Sequence, residues 1–110
     1  MTYHPKWANK FIDELFDAFL LLRDREECYR FFEDICTIKE LQVISQRLQV
    51  AKLLRDNKTY HEIEEITGAS TATISRVNKF LVYGPEGYNM ILDRVDEIEK
   101  KNKDDNEENK

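Results

Sequence analysis

Glycine and proline are scarce in this sequence, three and two in 110 residues. A chain of many strands and tight turns uses more of both, so the shortage points to an all-helical fold. Cysteine is too rare for a disulfide scaffold. Cys28 and Cys36 are the only two, and their spacing fits neither a CxxC zinc pair nor a redox pair. Eight residues nearly repeat a helical face, so both are expected as reduced core residues. No apolar run approaches the ~20 residues of a membrane span, and the longest cluster, Ala18 to Leu22, is flanked by charges. Met1 to Trp7 lacks the apolar segment of a signal peptide, so a soluble, cytoplasmic protein is expected. Catalytic constellations are missing as well. His4 and His61 have no partner set, and there is no phosphate-binding glycine loop, metal-ligand spacing or nucleophile elbow. Acidic pairs such as Glu64-Glu65 read as solvated faces. Neither an enzyme nor a metal site is expected.

The charge balance is uneven. The net charge of −5 argues at first against a polyanion partner. From Asp96 onward, however, seven acids stand against four lysines, a net of −3. From Thr37 to Tyr83, seven Lys/Arg stand against five Asp/Glu, a net of +2. The middle is mildly basic, and distribution outweighs the total for a nucleic-acid binder.

Helical periodicity accounts for most of the chain. A first helix is expected from Trp7 to Leu22, with Trp7, Phe11, Leu15, Ala18, Phe19 and Leu22 inward. A second runs from Asp24 to Ile35, with Cys28, Phe31, Phe32 and Ile35 inward. Eight of the twelve aromatic residues lie before Thr37, more apolar surface than a small monomer easily covers, which suits a dimer interface. Thr37-Ile38-Lys39-Glu40 reads as a capping box opening a long helix to Arg55, with Ile38, Leu41, Ile44, Leu48, Ala51 and Leu54 inward. Thr59-Tyr60-His61-Glu62 is a second box, and its short helix stops at Gly68, where positive φ is cheap. Ser70-Thr71 caps the next helix, to about Val82. After Gly84-Pro85-Glu86-Gly87 comes a last helix marked by Tyr88, Ile91, Leu92, Val95 and Ile98. Six helices in one domain over residues 1–100 are expected, followed by a disordered acidic tail over 101–110.

Two short helices around a glycine turn, from Thr59 to Leu81, have the form of a helix-turn-helix, in which the first helix crosses the DNA backbone and the second enters the major groove. Ile63 and Ile66 would face Ile74 and Val77 across Gly68-Ala69-Ser70. Ser70, Thr71, Ala72, Thr73, Ser75, Arg76 and Lys79 then form the outward face. Threonine hydroxyls and a small alanine permit close approach to base edges, and the helix N-terminus favours a phosphate. Glu64 stands where the helices cross, a position that often carries a small residue. With Glu62 and Glu65 it makes the first helix acidic, so contact falls to its N-terminal end, Tyr60 and His61. The competing reading is a helical protein-interaction or dimerisation module that binds no DNA.

Residues 37–85, above all Gln46-Arg47-Leu48-Gln49-Val50-Ala51-Lys52-Leu53-Leu54-Arg55 and Gly68-Ala69-Ser70-Thr71-Ala72-Thr73-Ile74-Ser75-Arg76, resemble the Trp repressor superfamily, in its YerC/YecD-type branch. The resemblance implies an intertwined homodimer that binds double-stranded DNA as a transcriptional regulator, of repressor type. Two recognition helices would reach successive major grooves about 34 Å apart. It assigns DNA contacts to His61, Ser70, Thr71, Ala72, Thr73 and Ser75, and places Thr37, Arg47 and Arg76 where the family holds an amino-acid effector. Where the tryptophan-binding member has glycine and serine, this chain has Val77 and Phe80, which would fill the space of an indole. Tryptophan is therefore not expected as its cofactor.

Overall fold

The computed structural model describes residues 2–108, and among them there are six helices and no strand. They are α1 (Lys10–Phe19), α2 (Arg25–Ile35), α3 (Ile38–Arg55), α4 (Tyr60–Thr67), α5 (Thr71–Tyr83) and α6 (Gly87–Glu108). The chain divides into two compact units, the first ending at Ile38 and the second beginning at Lys39.

In the first unit, both helices start on side-chain caps. Asn9 Oδ1 accepts from the Ile12 amide at 2.9 Å, and Asp24 Oδ1 accepts from the Glu27 amide at 2.9 Å. Glu27 reaches back to the Arg23 amide at 2.8 Å, so the start of α2 is satisfied from both directions. The Asn9 cap explains why α1 opens at Lys10 rather than at Trp7. Phe19 bridges the two helices, with ring centroids 5.6 Å from Phe31 and 5.1 Å from Phe32. Leu15, Ala18, Phe19, Leu22, Cys28, Phe31 and Phe32 are half-buried. Trp7, Phe11 and Ile35, assigned inward from periodicity, are instead exposed, because two short helices cannot cover a whole apolar face. Neither helix holds a fully buried residue. Cys28 and Cys36 are free and half-buried rather than core residues; Cys36 lies past the end of α2, in extended backbone.

The second unit holds the core, formed by Val50, Ala51, Ile63, Ala69, Ile74, Val77, Leu81 and Leu92, with Leu53, Leu54, Tyr60 and Tyr88 packed against it. The α3 reading needs correction. Val50 and Ala51 are fully buried, whereas Ile38, Ile44 and Leu48 are exposed. Ala51 in the core and Leu54 packed against it agree with the expected face; apolar residues surround this helix on all sides, so the same steps also picked out residues turned away from the core. Arg55 fastens α3 to α6. Its Nη1 donates to the Asn89 carbonyl at 3.1 Å and its Nη2 meets Asp93 at 2.6 Å and Asp96 at 3.5 Å. Lys52 adds a contact to Glu99 at 3.6 Å. Gly84, between α5 and α6, allows a close approach: a Cβ there would lie 2.4 Å from the Phe80 carbonyl oxygen.

The helix α6 continues to Glu108, which corrects the expectation of a disordered tail for residues 101–108; Asn109 and Lys110 lie outside the described residues. No proline or glycine interrupts the stretch. Glu97-Lys101 and Glu99-Lys103 place acids four residues before bases, the favourable order on a helix.

Candidate nucleic-acid interface

The segment Thr59 to Leu81 folds as two helices around a three-residue turn. The start of α4 is fixed by Thr59, whose hydroxyl accepts from the Glu62 amide at 3.2 Å. The box closes differently from the expected form, because the Thr59 hydroxyl also donates to Glu62 Oε1 at 3.2 Å. At the far end Gly68 takes φ of 74°, a left-handed conformation that a side chain would oppose. Thr67 locks the turn. Its hydroxyl donates to the Ile63 carbonyl at 2.7 Å and accepts from the Ala69 amide at 3.1 Å. Gln46 on α3 donates to the Thr67 carbonyl at 3.1 Å and so ties the end of α4 to the long helix. Sequence reading missed Thr67 and Gln46; a threonine directly before the C-cap glycine was the available signal.

The two helices pack through Ile63, Ile74 and Val77, all in the core as expected. Ile66 is not: it is 63% exposed, and the second buried residue of this segment is Ala69 in the turn. An eight-residue helix offers α5 only a narrow face, and Ile63 occupies it.

Ser70 begins α5 by accepting from the Thr73 amide at 3.2 Å, while its hydroxyl donates to Thr73 Oγ1 at 3.1 Å. Ser70, Thr71, Ala72, Ser75, Arg76 and Lys79 are exposed, and Thr73 is half-buried. The helix carries Arg76 and Lys79 and no acid, in contrast to α4 with its three glutamates. Positive charge therefore sits on the helix that presents the small polar side chains. Glu64 crosses between the helices, where its carboxylate accepts from the Thr71 hydroxyl. His61 stands exposed in the first turn of α4, 3.0 Å from Glu65, an ion pair only when the imidazole is protonated.

Arg47 and Arg76 line one cleft, of about 590 Å³, together with Val43, Thr73, Val77, Phe80 and Tyr88 among others. Thr37, the third residue assigned to an effector, belongs to the first unit. Val77 and Phe80 form part of the cleft's wall. Val77 lies in the core and Phe80 is half exposed.

The model of the Trp repressor protein family matches residues 10–96. The chain belongs to this family. It is 58% identical over 94 residues to YerC, an uncharacterized protein of Bacillus subtilis (strain 168), covering 86% of this chain and 90% of YerC. A crystal structure from Staphylococcus aureus, assigned to the Trp repressor type, superposes with a TM-score of 0.80 at 56% identity, covering 83% of this chain and 91% of that one. A TrpR-like protein from Eubacterium eligens ATCC 27750 gives 0.79 at 52% identity, covering 82% and 93%. The Trp repressor family is one of helix-turn-helix regulators rather than enzymes, and the element described above is the part of the fold that such a regulator uses. Among the described residues no helix is long and apolar enough to cross a membrane.

Proposed function

We propose that this protein is a cytoplasmic, sequence-specific transcriptional regulator of repressor type that binds double-stranded DNA through α4 and α5. The observation that carries the reading is the surface of α5. Six small or basic side chains, Ser70, Thr71, Ala72, Ser75, Arg76 and Lys79, stand exposed from its N-cap through its first three turns with no acid among them. Small hydroxyl and methyl groups suit base edges in the major groove, and the two cations and the helix N-terminus suit phosphates. His61, at the start of α4, adds a backbone contact. The bound form is a homodimer. Tyr3, Trp7 and Phe11 in the first unit and Ile44 on α3 are apolar and exposed in the single chain, and a second copy supplies their cover. Arg47 and Arg76 leave the cleft able to receive a carboxylate-bearing effector, while Val77 and Phe80 shape a wall unlike that of the tryptophan-binding member of the family.

Enrichment of duplexes from a random library tests the reading. A recovered motif with two related half-sites, whose affinity falls steeply between 50 and 200 mM salt as counterions are released, supports it. Weak, salt-insensitive association without a motif overturns it in favour of a protein-interaction module.

A further inference from the structure

Glu64 is an odd residue for the crossing point of a DNA-reading element, since it brings a negative charge toward a polyanion. Its carboxylate accepts a hydrogen bond from the hydroxyl of Thr71, the first residue of α5, seven positions away across the turn. A carboxylate has no proton to give, so the threonine is the donor. A threonine hydroxyl has one hydrogen and two acceptor lone pairs. With its hydrogen held by Glu64, Thr71 has only acceptor capacity left for a partner in front of it, and it is exposed there.

We propose that Glu64 is a positioning residue that sets the base preference of Thr71, making it read an amino group rather than a carbonyl or ring nitrogen. This rests on the DNA-binding reading of α5 and sharpens it. In the major groove the donors are the adenine N6 and cytosine N4 amino groups; guanine offers N7 and O6 and thymine offers O4, all acceptors. An acceptor-only hydroxyl pairs with the first two and is repelled by the others. The carboxylate behind it reinforces the choice, because its field attracts amino hydrogens and repels base oxygens. A free threonine hydroxyl would serve donors and acceptors alike. The charge at the helix crossing thus acts as a filter, at the cost of some phosphate attraction.

The test compares the motifs enriched by the full chain and three variants from one random duplex library, with melting curves followed by circular dichroism. The wild type is expected to show one column per half-site in which adenine and cytosine prevail over guanine and thymine by roughly tenfold, the lower part of the range for a base-specific contact. Glu64→Gln keeps an acceptor for the hydroxyl and retains that column. Glu64→Met removes it and levels the column to under about twofold, leaving the other columns and the melting temperature in place. Thr71→Val, which lacks the hydroxyl, levels the same column. The proposal is overturned if Glu64→Met preserves the column, or if all columns weaken together, which a purely structural role would produce. A wild type that enriches no motif refutes the DNA-binding reading itself, an outcome distinct from an unchanged column.

Discussion

Placing a carboxylate at the tip of α5 separates binding from folding. In Thr71→Glu the new side chain stands at the first position of a helix, where a negative charge gains about 0.3–1 kcal/mol from the helix dipole. Against this stands the lost hydrogen bond to Glu64, about 0.5–1.5 kcal/mol, together with repulsion from that exposed carboxylate, screened by solvent. The terms nearly cancel, so stability should change by no more than about 1 kcal/mol. That corresponds to a few degrees of melting temperature for a chain of this size. Binding is affected in one direction only. The substitution takes the charge of α5 from the two cations Arg76 and Lys79 to a net of +1, and sets a second carboxylate beside Glu64 in the field of the phosphates. A loss of about 1–3 kcal/mol per contacted half-site, counted for two heads, amounts to at least about thirtyfold in affinity. Fluorescence anisotropy on an enriched duplex, with circular dichroism and sedimentation as controls, measures both sides. A variant that binds within threefold of the wild type would show that α5 does not enter the groove.

Arg76→Ala should weaken DNA binding by about 1–3 kcal/mol if its guanidinium makes a charged contact, with the melting temperature unchanged; a loss of folding would assign Arg76 to the structure instead. Gly68→Ala meets no atom within 4 Å and keeps only the strain of φ 74°, so it should cost about 1–2 kcal/mol in a denaturant titration, and an unchanged midpoint would contradict the left-handed cap. Tryptophan should show no micromolar binding by calorimetry, because Val77 and Phe80 shape the cleft that Arg47 and Arg76 share; a micromolar isotherm would overturn that expectation.

Much of this architecture was legible because the boundaries are written in side chains that satisfy backbone amides. Thr59 and Ser70 cap α4 and α5 where their spacing from the following residues indicated. Gly68 ends α4 in the conformation that its position required. The exposed polar face of α5 followed from the same periodicity that buried Ile74, Val77 and Leu81. The inner side of α3 was illegible for a physical reason: with apolar residues all round, the pattern does not say which ones meet the core and which meet solvent or a second chain. The helical continuation past Lys100 was hidden because composition was weighed there and side-chain pairing along a helix was not. Within the candidate site, the Glu64–Thr71 bond and the double role of Thr67 depend on how the chain turns at Gly68. Spacing could flag Glu64 as out of place but could not supply its partner.

The length of α6 bears on how the molecule meets a polyanion. Among the described residues its last side-chain anchor to α3 is the Glu99–Lys52 contact, and nine further residues carry the helix to Glu108, a rod of about 13 Å. Along it Lys100, Lys101 and Lys103 come first, and Asp104 and Asp105 follow toward the tip. Such an arrangement is a lever with charge at its end. On the proposed DNA-binding reading, the field of a phosphate backbone would push the acidic tip outward and turn the body before contact forms. Long-range fields of this kind govern the orientation of an encounter more than its final affinity, so shortening the rod would be felt first in the association rate, and most strongly at low salt.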